Sequence, residues 1–147
     1  MIKLKALTTY LIGRQLVLPE QLDSWTDQVS LELVWKPDLQ GMHMGDMNYT
    51  ATIVLERFAD HPGRLMALVG SWLETNDEDR DELPAVQFDI TMLDDDLADV
   101  DIKLEFSEPQ YLAEEPGGEI IAFGKTWSFI PFDLWVAERG EVIGDGA

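Results

Sequence analysis

The chain has 147 residues, of which 46% are hydrophobic, and its 29 acidic and 10 basic residues give a formal net charge of −19. This length suits one domain with one core, and the aromatic content argues against a disordered acidic chain. Binding nucleic acid by neutralising phosphates needs a basic face, so the charge disfavours nucleic-acid binding and also docking on an anionic membrane. The absence of Cys excludes disulfides and thiolate metal sites.

The N-terminal segment does not resemble a targeting sequence. No apolar run approaches the roughly 20 residues that cross a bilayer. Polar residues interrupt the first stretch, which therefore lacks the unbroken apolar segment of a signal peptide. We expect a soluble, cytoplasmic protein with no membrane partner.

Residues 2–26 predict two helices. Leu4, Leu7 and Leu11 recur at helical spacing, which predicts an amphipathic helix over residues 2–16 that ends before Pro19. Residues 20–26 predict a short second helix, with Leu22 and Trp25 facing inward.

The spacing of the apolar residues changes from helical to alternating at the first predicted strand. Alternate apolar residues from Val29 to Trp35 predict a strand that Pro37 ends, with Trp35 facing inward. Residues 37–48 contain two Gly and three Met without a clear period, which predicts a loop. Alternation resumes over 49–58 and predicts a second strand.

Residues 62–75 predict the clearest helix. Asp60 is a candidate cap, Pro62 suits the first turn, and apolar residues recur at core-facing spacing: Leu65, Leu68, Val69, Trp72 and Leu73.

Only strand patterns follow, over 86–92, 100–106 and 120–124, and residues 130–147 predict a C-terminal hairpin with a frayed end. The order of elements predicts an α+β fold, a mostly antiparallel sheet with two main helices packed on it. We expect one domain over residues 1–147.

No catalytic constellation is present. The two histidines, His43 and His61, lie in loop and turn contexts, and no Ser lies in a nucleophile motif. The acids of residues 77–82 alternate as in a calcium-binding loop, but Glu82 stands where that loop needs Gly, and Phe88 where it needs Glu. We therefore expect a protein that is not an enzyme, with no cofactor and no metal site.

Acidic residues concentrate between Glu74 and Asp101, where twelve acids accompany one base, Arg80. Such a concentration indicates a strongly negative surface. That surface suits a conduit wall that repels DNA, a decoy that mimics DNA, or merely solvated loops. The residues predicted to form a lumen or partner surface are Asp77, Asp79, Asp81, Asp94, Asp95, Asp96 and Asp99.

An aromatic run near the C-terminus has no clear period. Such a run either covers the edge of the core or lies in a subunit interface. The residues predicted for that interface are Trp127, Phe129, Ile130, Phe132 and Trp135.

Patterned blocks across most of the chain resemble the GpR family of phage tail-completion proteins. The resemblance is carried by residues 49–58, by the Leu65–Glu74 helix, and by Phe88-Asp89-Ile90 with the acidic turn after it. It continues through 101–104, 117–123 and the final Leu134-Trp135-Val136 with Gly140-Glu141.

The resemblance implies a structural tail protein of contractile-tailed temperate phages or prophages, similar to tail terminators. Such proteins form a ring, here expected to be a homohexamer, that caps the tail tube and sheath and meets the head connector. The resemblance implies assembly in the host cytoplasm and a place in the virion tail, and the net charge of −19 leads us to expect no direct sequence-specific nucleic-acid binding. The alternative is an acidic DNA mimic that inhibits a DNA-binding host protein.

Overall fold

The computed structural model describes residues 1–39 and 41–131. These residues form two α-helices and an antiparallel sheet, which confirms the α+β prediction. The helices are α1 (Ile2–Gly13) and α2 (Pro62–Asn76). The strands are β1 (Leu22–Asp38), β2 (Gly41–Phe58), β3 (Gln87–Met92), β4 (Ala98–Glu114), β5 (Ile120–Ala122) and β6 (Lys125–Ile130), with short 3-10 turns at Pro19–Gln21 and Arg80–Glu82. The predicted hairpin over 130–147 falls almost entirely outside the described residues.

The sheet is built around β4, its most extensively paired strand. The strand order is β1-β2-β4-β6-β5, and β3 pairs with β4 outside this path. β3 covers residues 98–103 of β4, whereas β6 covers residues 111–114. Because β2 occupies the other side of β4, β3 and β6 lie on the same side, one after the other.

Both helices pack on one face of this sheet. Every second residue is buried there from Tyr49 to Leu55 on β2 and from Ala98 to Glu108 on β4, and the cross-strand partners Ile53 and Ile102 are completely buried. Alternate residues of a strand point to opposite faces, so these positions define the core face. The helices supply the rest of the core: Leu4, Leu7 and Leu11 from α1, and Leu65, Val69, Trp72 and Leu73 from α2.

A second, smaller core lies where the sheet curls. Met42, Leu112 and Trp127 are buried together there. Trp35 on β1 meets Phe123, between β5 and β6, edge to face with ring centroids 5.3 Å apart. This contact brings the two ends of the strand order together at one end of the sheet.

Two local predictions are wrong. Residues 22–26 lie in β1 rather than in a short helix, and residues 41–48, predicted as loop, begin β2. Trp25 faces the side away from the helices and is 45% exposed. The physical reason is long-range pairing, because β1 pairs with β2 over residues 22–38, with two register shifts, and this overrides the weak local preferences.

The start of α2 also differs from the predicted cap. The Nδ1 atom of His61, rather than Asp60, accepts a hydrogen bond from the Gly63 N–H at 2.9 Å. Asp60 accepts from the His61 N–H and pairs with Arg64 at 2.7 Å. Both side chains therefore support the first turn of the helix.

Candidate assembly surfaces

The predicted acidic residues separate into two loops. Asp79 and Asp81 are exposed between α2 and β3, whereas Asp94, Asp95 and Asp96 are exposed between β3 and β4. β3 has six residues, and a strand of that length spans about 20 Å. The two acidic loops therefore lie at opposite ends of β3 and do not form one patch.

Asp94 shapes its own turn. Its Oδ1 atom accepts hydrogen bonds from the main-chain N–H groups of Asp96 at 2.8 Å and Leu97 at 2.9 Å. An aspartate that accepts from the backbone two or three residues ahead stabilises a turn. Asp95 and Asp96 have no such bond among the side-chain hydrogen bonds of the described residues, so their carboxylates are the ones free to act at a surface.

Asp77 does not belong to an exposed surface, which corrects the prediction. It is only 3% exposed. Its Oδ1 atom accepts from Lys3 Nζ at 2.6 Å, and its Oδ2 atom accepts from Arg80 Nε at 3.0 Å. A buried carboxylate needs such partners because its desolvation is costly.

Arg80 joins this ion pair to the sheet. Its NH2 group donates to the carbonyl oxygen of Glu105 at 2.7 Å, and its guanidinium lies 5.1 Å from the centre of the Phe106 ring. Glu105 lies on the stretch of β4 between its partners β3 and β6. Arg80 thus satisfies a backbone carbonyl on the stretch of β4 that, among the described residues, pairs with β2 but has no strand on its other side.

A second buried carboxylate anchors the N-terminus of α1. Glu108 on β4 is 1% exposed and accepts hydrogen bonds from the main-chain N–H groups of Ile2 at 3.1 Å and Lys3 at 2.9 Å. The hydroxyl of Tyr49 also donates to it. Burial, and then the bond to Glu108, raises the pKa of Tyr49 well above its usual value. A carboxylate at a helix N-terminus also interacts favourably with the helix dipole.

The side of the sheet away from the helices, which we call the outer sheet face, carries most of the strand carboxylates. On β4, the buried Val100, Ile102 and Leu104 alternate with residues that point to this side. Through the strand pairing, the acids on the outer sheet face are Asp23, Asp27, Glu32, Asp46, Asp89, Asp99, Asp101 and Glu105.

The outer sheet face places like charges side by side. Asp89 is paired with Asp101 across the strands, and Glu32 with Asp46, arrangements that are destabilising on their own. Lys103 offsets them weakly, with its Nζ atom 3.8 Å from Asp89 Oδ2. Of the predicted surface acids, only Asp99 lies on this face, where it accepts from the Arg57 N–H at 3.0 Å. The strand alternation could have revealed this face, but the pairing between strands could not be read from the sequence.

A concavity of about 930 Å³ lies between the outer sheet face and the loop after α2. Its lining includes Glu32, Asp46, Glu78, Asp79 and Glu105. Beside them His43 Nε2 lies 2.8 Å from Asp46 Oδ1 and its ring packs against Tyr111. Within residues 1–39 and 41–131, no group of three His, Asp or Glu side chains could hold a metal ion.

The predicted aromatic interface divides into buried and exposed residues. Trp127 is 5% exposed and its Nε1 donates to the Ala122 carbonyl at 2.9 Å, so it belongs to the second core. Phe129 is 51% exposed and Ile130 is half-buried. Phe132 and Trp135 lie outside the described residues.

The described surfaces carry exposed acidic loops, a sheet face rich in carboxylates and exposed apolar side chains. In the described part of the chain, no helix is long and apolar enough to cross a membrane. The family model of the P2 phage tail completion protein R (GpR) matches residues 1–131. The chain therefore belongs to the GpR family and is a structural protein of phage tails.

A curated relative also comes from a phage. The chain is 30% identical over 84 residues to an "Uncharacterized 19.2 kDa protein in rep-hol intergenic region" of Haemophilus phage HP1 (strain HP1c1). The alignment covers 56% of this chain and 51% of the relative, so the chain spans about half the length of that protein. No solved structure matches the chain.

Proposed function

We propose that this protein completes the phage tail as a ring of six identical copies. The ring caps the tail tube and sheath and presents a surface to the head connector. The protein acts without catalysis, in the host cytoplasm during assembly, and then remains in the virion tail. The observation that carries this proposal is the match of the tail completion family to residues 1–131.

The acidic surfaces support a passage for DNA through this ring. Asp79, Asp81 and Asp94 to Asp96 lie in exposed loops, and Asp99 lies on the outer sheet face among further carboxylates. A wall of negative potential repels the phosphate backbone, so the duplex passes without adhering. We propose that these residues line the opening or its rim.

The aromatic residues support a contact between subunits. Phe129 is exposed on β6, and Ile130 next to it is half-buried. Large apolar side chains at a surface are typical of protein interfaces. We propose that this end of β6 contacts a neighbouring copy or the tail tube.

A complementation assay tests the proposed function. Phage that lack the gene receive the wild-type protein, and tails are counted and measured by electron microscopy. We expect tails of uniform length that join heads with the protein, and tails that fail to join or to stop growing without it. Native mass spectrometry of the full chain, alone and with purified tail tube, should detect the ring.

The same measurements distinguish the proposed tail protein from the alternative, an acidic DNA mimic. A DNA mimic would remain a monomer or dimer, displace DNA from a DNA-binding enzyme, and leave tail morphology unchanged when removed. That result would overturn the proposed tail function.

A further inference from the structure

Among the described residues, β1 is an edge strand of the sheet. Within residues 1–39 and 41–131, β1 pairs with β2 alone, so the main-chain groups on its other side have no partner strand. Large apolar side chains are exposed along it: Trp25 at 45%, Val29 at 52%, Leu31 at 51%, Leu33 at 58% and Val34 at 39%. An edge with free N–H and C=O groups is complementary to another strand.

The usual protections of an edge leave the middle of β1 uncovered, from Ser30 to Leu33. Proteins shield edges by short strands, lysines, prolines or bulges, and an unshielded apolar edge tends to associate. β1 has 17 residues, and its Lys36 and Pro37 lie at the far end. The two register shifts, between Asp27 and Ser30 and between Leu33 and Lys36, leave a regular segment between them.

Charge also favours this edge as a contact between copies. Two chains of net charge −19 repel each other, so a contact costs least where charge is sparse. From Gln28 to Trp35 the only charged residue is Glu32. This part of β1 is therefore one place where two copies can approach with little added repulsion.

β3 provides a second open edge on the other side of the sheet. Among the described residues it pairs with β4 alone, and Ile90 and Met92 are exposed, the latter by 59%. Three antiparallel steps, β1 to β2, β2 to β4 and β4 to β3, separate the two edges. β1 and β3 consequently run in opposite directions.

The opposite directions of β1 and β3 determine how a second copy can pair with the first. A copy rotated about an axis along the strands presents its β3 antiparallel to β1, and the alternation of strand directions continues across the boundary. In a closed ring of strands each strand tilts relative to the ring axis, so neighbouring copies are displaced from one another along the strand direction. The two edges are different surfaces, so the contact is head-to-tail, the kind that closes into rings.

We propose that neighbouring copies join edge to edge, with β1 of one copy paired antiparallel to β3 of the next. This inference rests on the proposed ring and names the surfaces that close it. Main-chain hydrogen bonds supply the contact, and the exposed side chains of β1 and β3 are buried by it.

The experiment blocks each edge separately with lysines. The β1 variant is Leu31→Lys with Leu33→Lys, and the β3 variant is Ile90→Lys with Met92→Lys. A matched control, Ile12→Lys with Met66→Lys, replaces exposed apolar residues on the helices and changes the net charge equally. Circular dichroism and urea denaturation establish folding, and the single changes Leu33→Lys and Met92→Lys replace any double variant that unfolds.

Analytical ultracentrifugation of the full chain then gives the result. We expect rings from the wild type and from the control, and monomers from each edge variant. An equimolar mixture of the two edge variants should form dimers and nothing larger, because each partner keeps one intact edge.

The outcomes separate this inference from the proposed function. Rings that persist in both edge variants overturn the edge pairing alone. Dimers of the β3 variant by itself would mean that β1 pairs with β1, which overturns the head-to-tail contact. A wild-type chain that stays monomeric even with tail tube overturns both proposals.

Discussion

Lys3 and Asp77, 74 residues apart in the chain, form a buried ion pair with 2.6 Å between Nζ and Oδ1. The pair connects α1 to the loop after α2, and Arg80 extends it to the carbonyl of Glu105. One acid of the most acidic stretch is thus an internal structural contact. The buried network and the acidic surfaces therefore predict different responses to mutation.

Removal of the Asp77 carboxylate should destabilise the fold strongly. Asp77→Ala leaves the Lys3 ammonium buried without its closest partner, which costs about 3–5 kcal/mol. Asp79→Ala is the comparison, because the Asp79 side chain is 59% exposed and lies 3.9 Å from the same Lys3 Nζ, and an exposed pair of this kind contributes about 1 kcal/mol or less. Urea denaturation measures both free energies of unfolding.

The double variant Lys3→Met with Asp77→Leu sharpens this prediction. The double variant removes the buried Lys3 ammonium and leaves only Arg80 without its carboxylate, so the double variant should cost less than Asp77→Ala alone. A loss of about 1 kcal/mol or less in Asp77→Ala would contradict the stabilising role of the buried ion pair.

Stability should fall at high pH because of Tyr49. Burial and Glu108 raise its pKa in the folded state above the ordinary value of 10.0. Folding therefore favours the protonated phenol, and its contribution is complete below pH 10 and is lost as the pH rises above that value. The limiting slope for one such group is about 1.4 kcal/mol per pH unit.

Tyr49→Phe tests that slope. The variant cannot ionise, so its free energy of unfolding should fall less steeply above pH 10 than that of the wild type, measured by urea denaturation across pH. It should be less stable at neutral pH, because Glu108 loses a donor. Parallel curves for the two proteins would assign the alkaline loss to other groups.

The buried side chains of α2 should contribute much of the free energy of unfolding of the protein. Trp72 is 2% exposed, and Trp72→Ala should cost about 3–5 kcal/mol through lost burial and an unfilled cavity. Met66 on the same helix is 41% exposed, so Met66→Ala serves as the control and should change stability little. An unchanged melting temperature for Trp72→Ala would contradict the packing of α2.

The acidic turn after β3 tests the conduit. Asp95→Lys with Asp96→Lys spares Asp94, which accepts the turn hydrogen bonds, so folding should be preserved. If this turn lines the opening, the lysines bind phosphate, and DNA ejection should slow while tails still assemble. Glu56→Lys with Glu74→Lys is the control, since both residues are exposed elsewhere and the charge change is equal.

Phage that lack the gene are supplied with this variant, tails are then counted by microscopy, and DNA ejection is measured separately. Normal tails with normal ejection would make the turn a solvated outer surface. Absent tails would place it in a contact with a subunit or with the tube, and the conduit position would be dropped.

The sequence alone predicts the elements whose periodicity is strong. The stripe from Leu65 to Leu73 predicts α2, and alternation over Val100 to Phe106 predicts a strand with one buried face; both are confirmed. The family resemblance is confirmed as well. These features depend on residues close together in the chain, so local patterns are enough to predict them.

Only the tertiary structure decides the features that depend on pairing. Residues 22–26 suit a helix locally, but β2 provides partners that make them a strand. Asp77 and Asp79 are similar in sequence context, yet Asp77 is buried 2.6 Å from Lys3, whereas Asp79 is exposed and lies 3.9 Å from the same ammonium. The register of four strands gathers their carboxylates on the outer sheet face. Burial and charge at these positions follow from neighbours that are distant in the chain, and a linear pattern carries no information about which distant residues will meet.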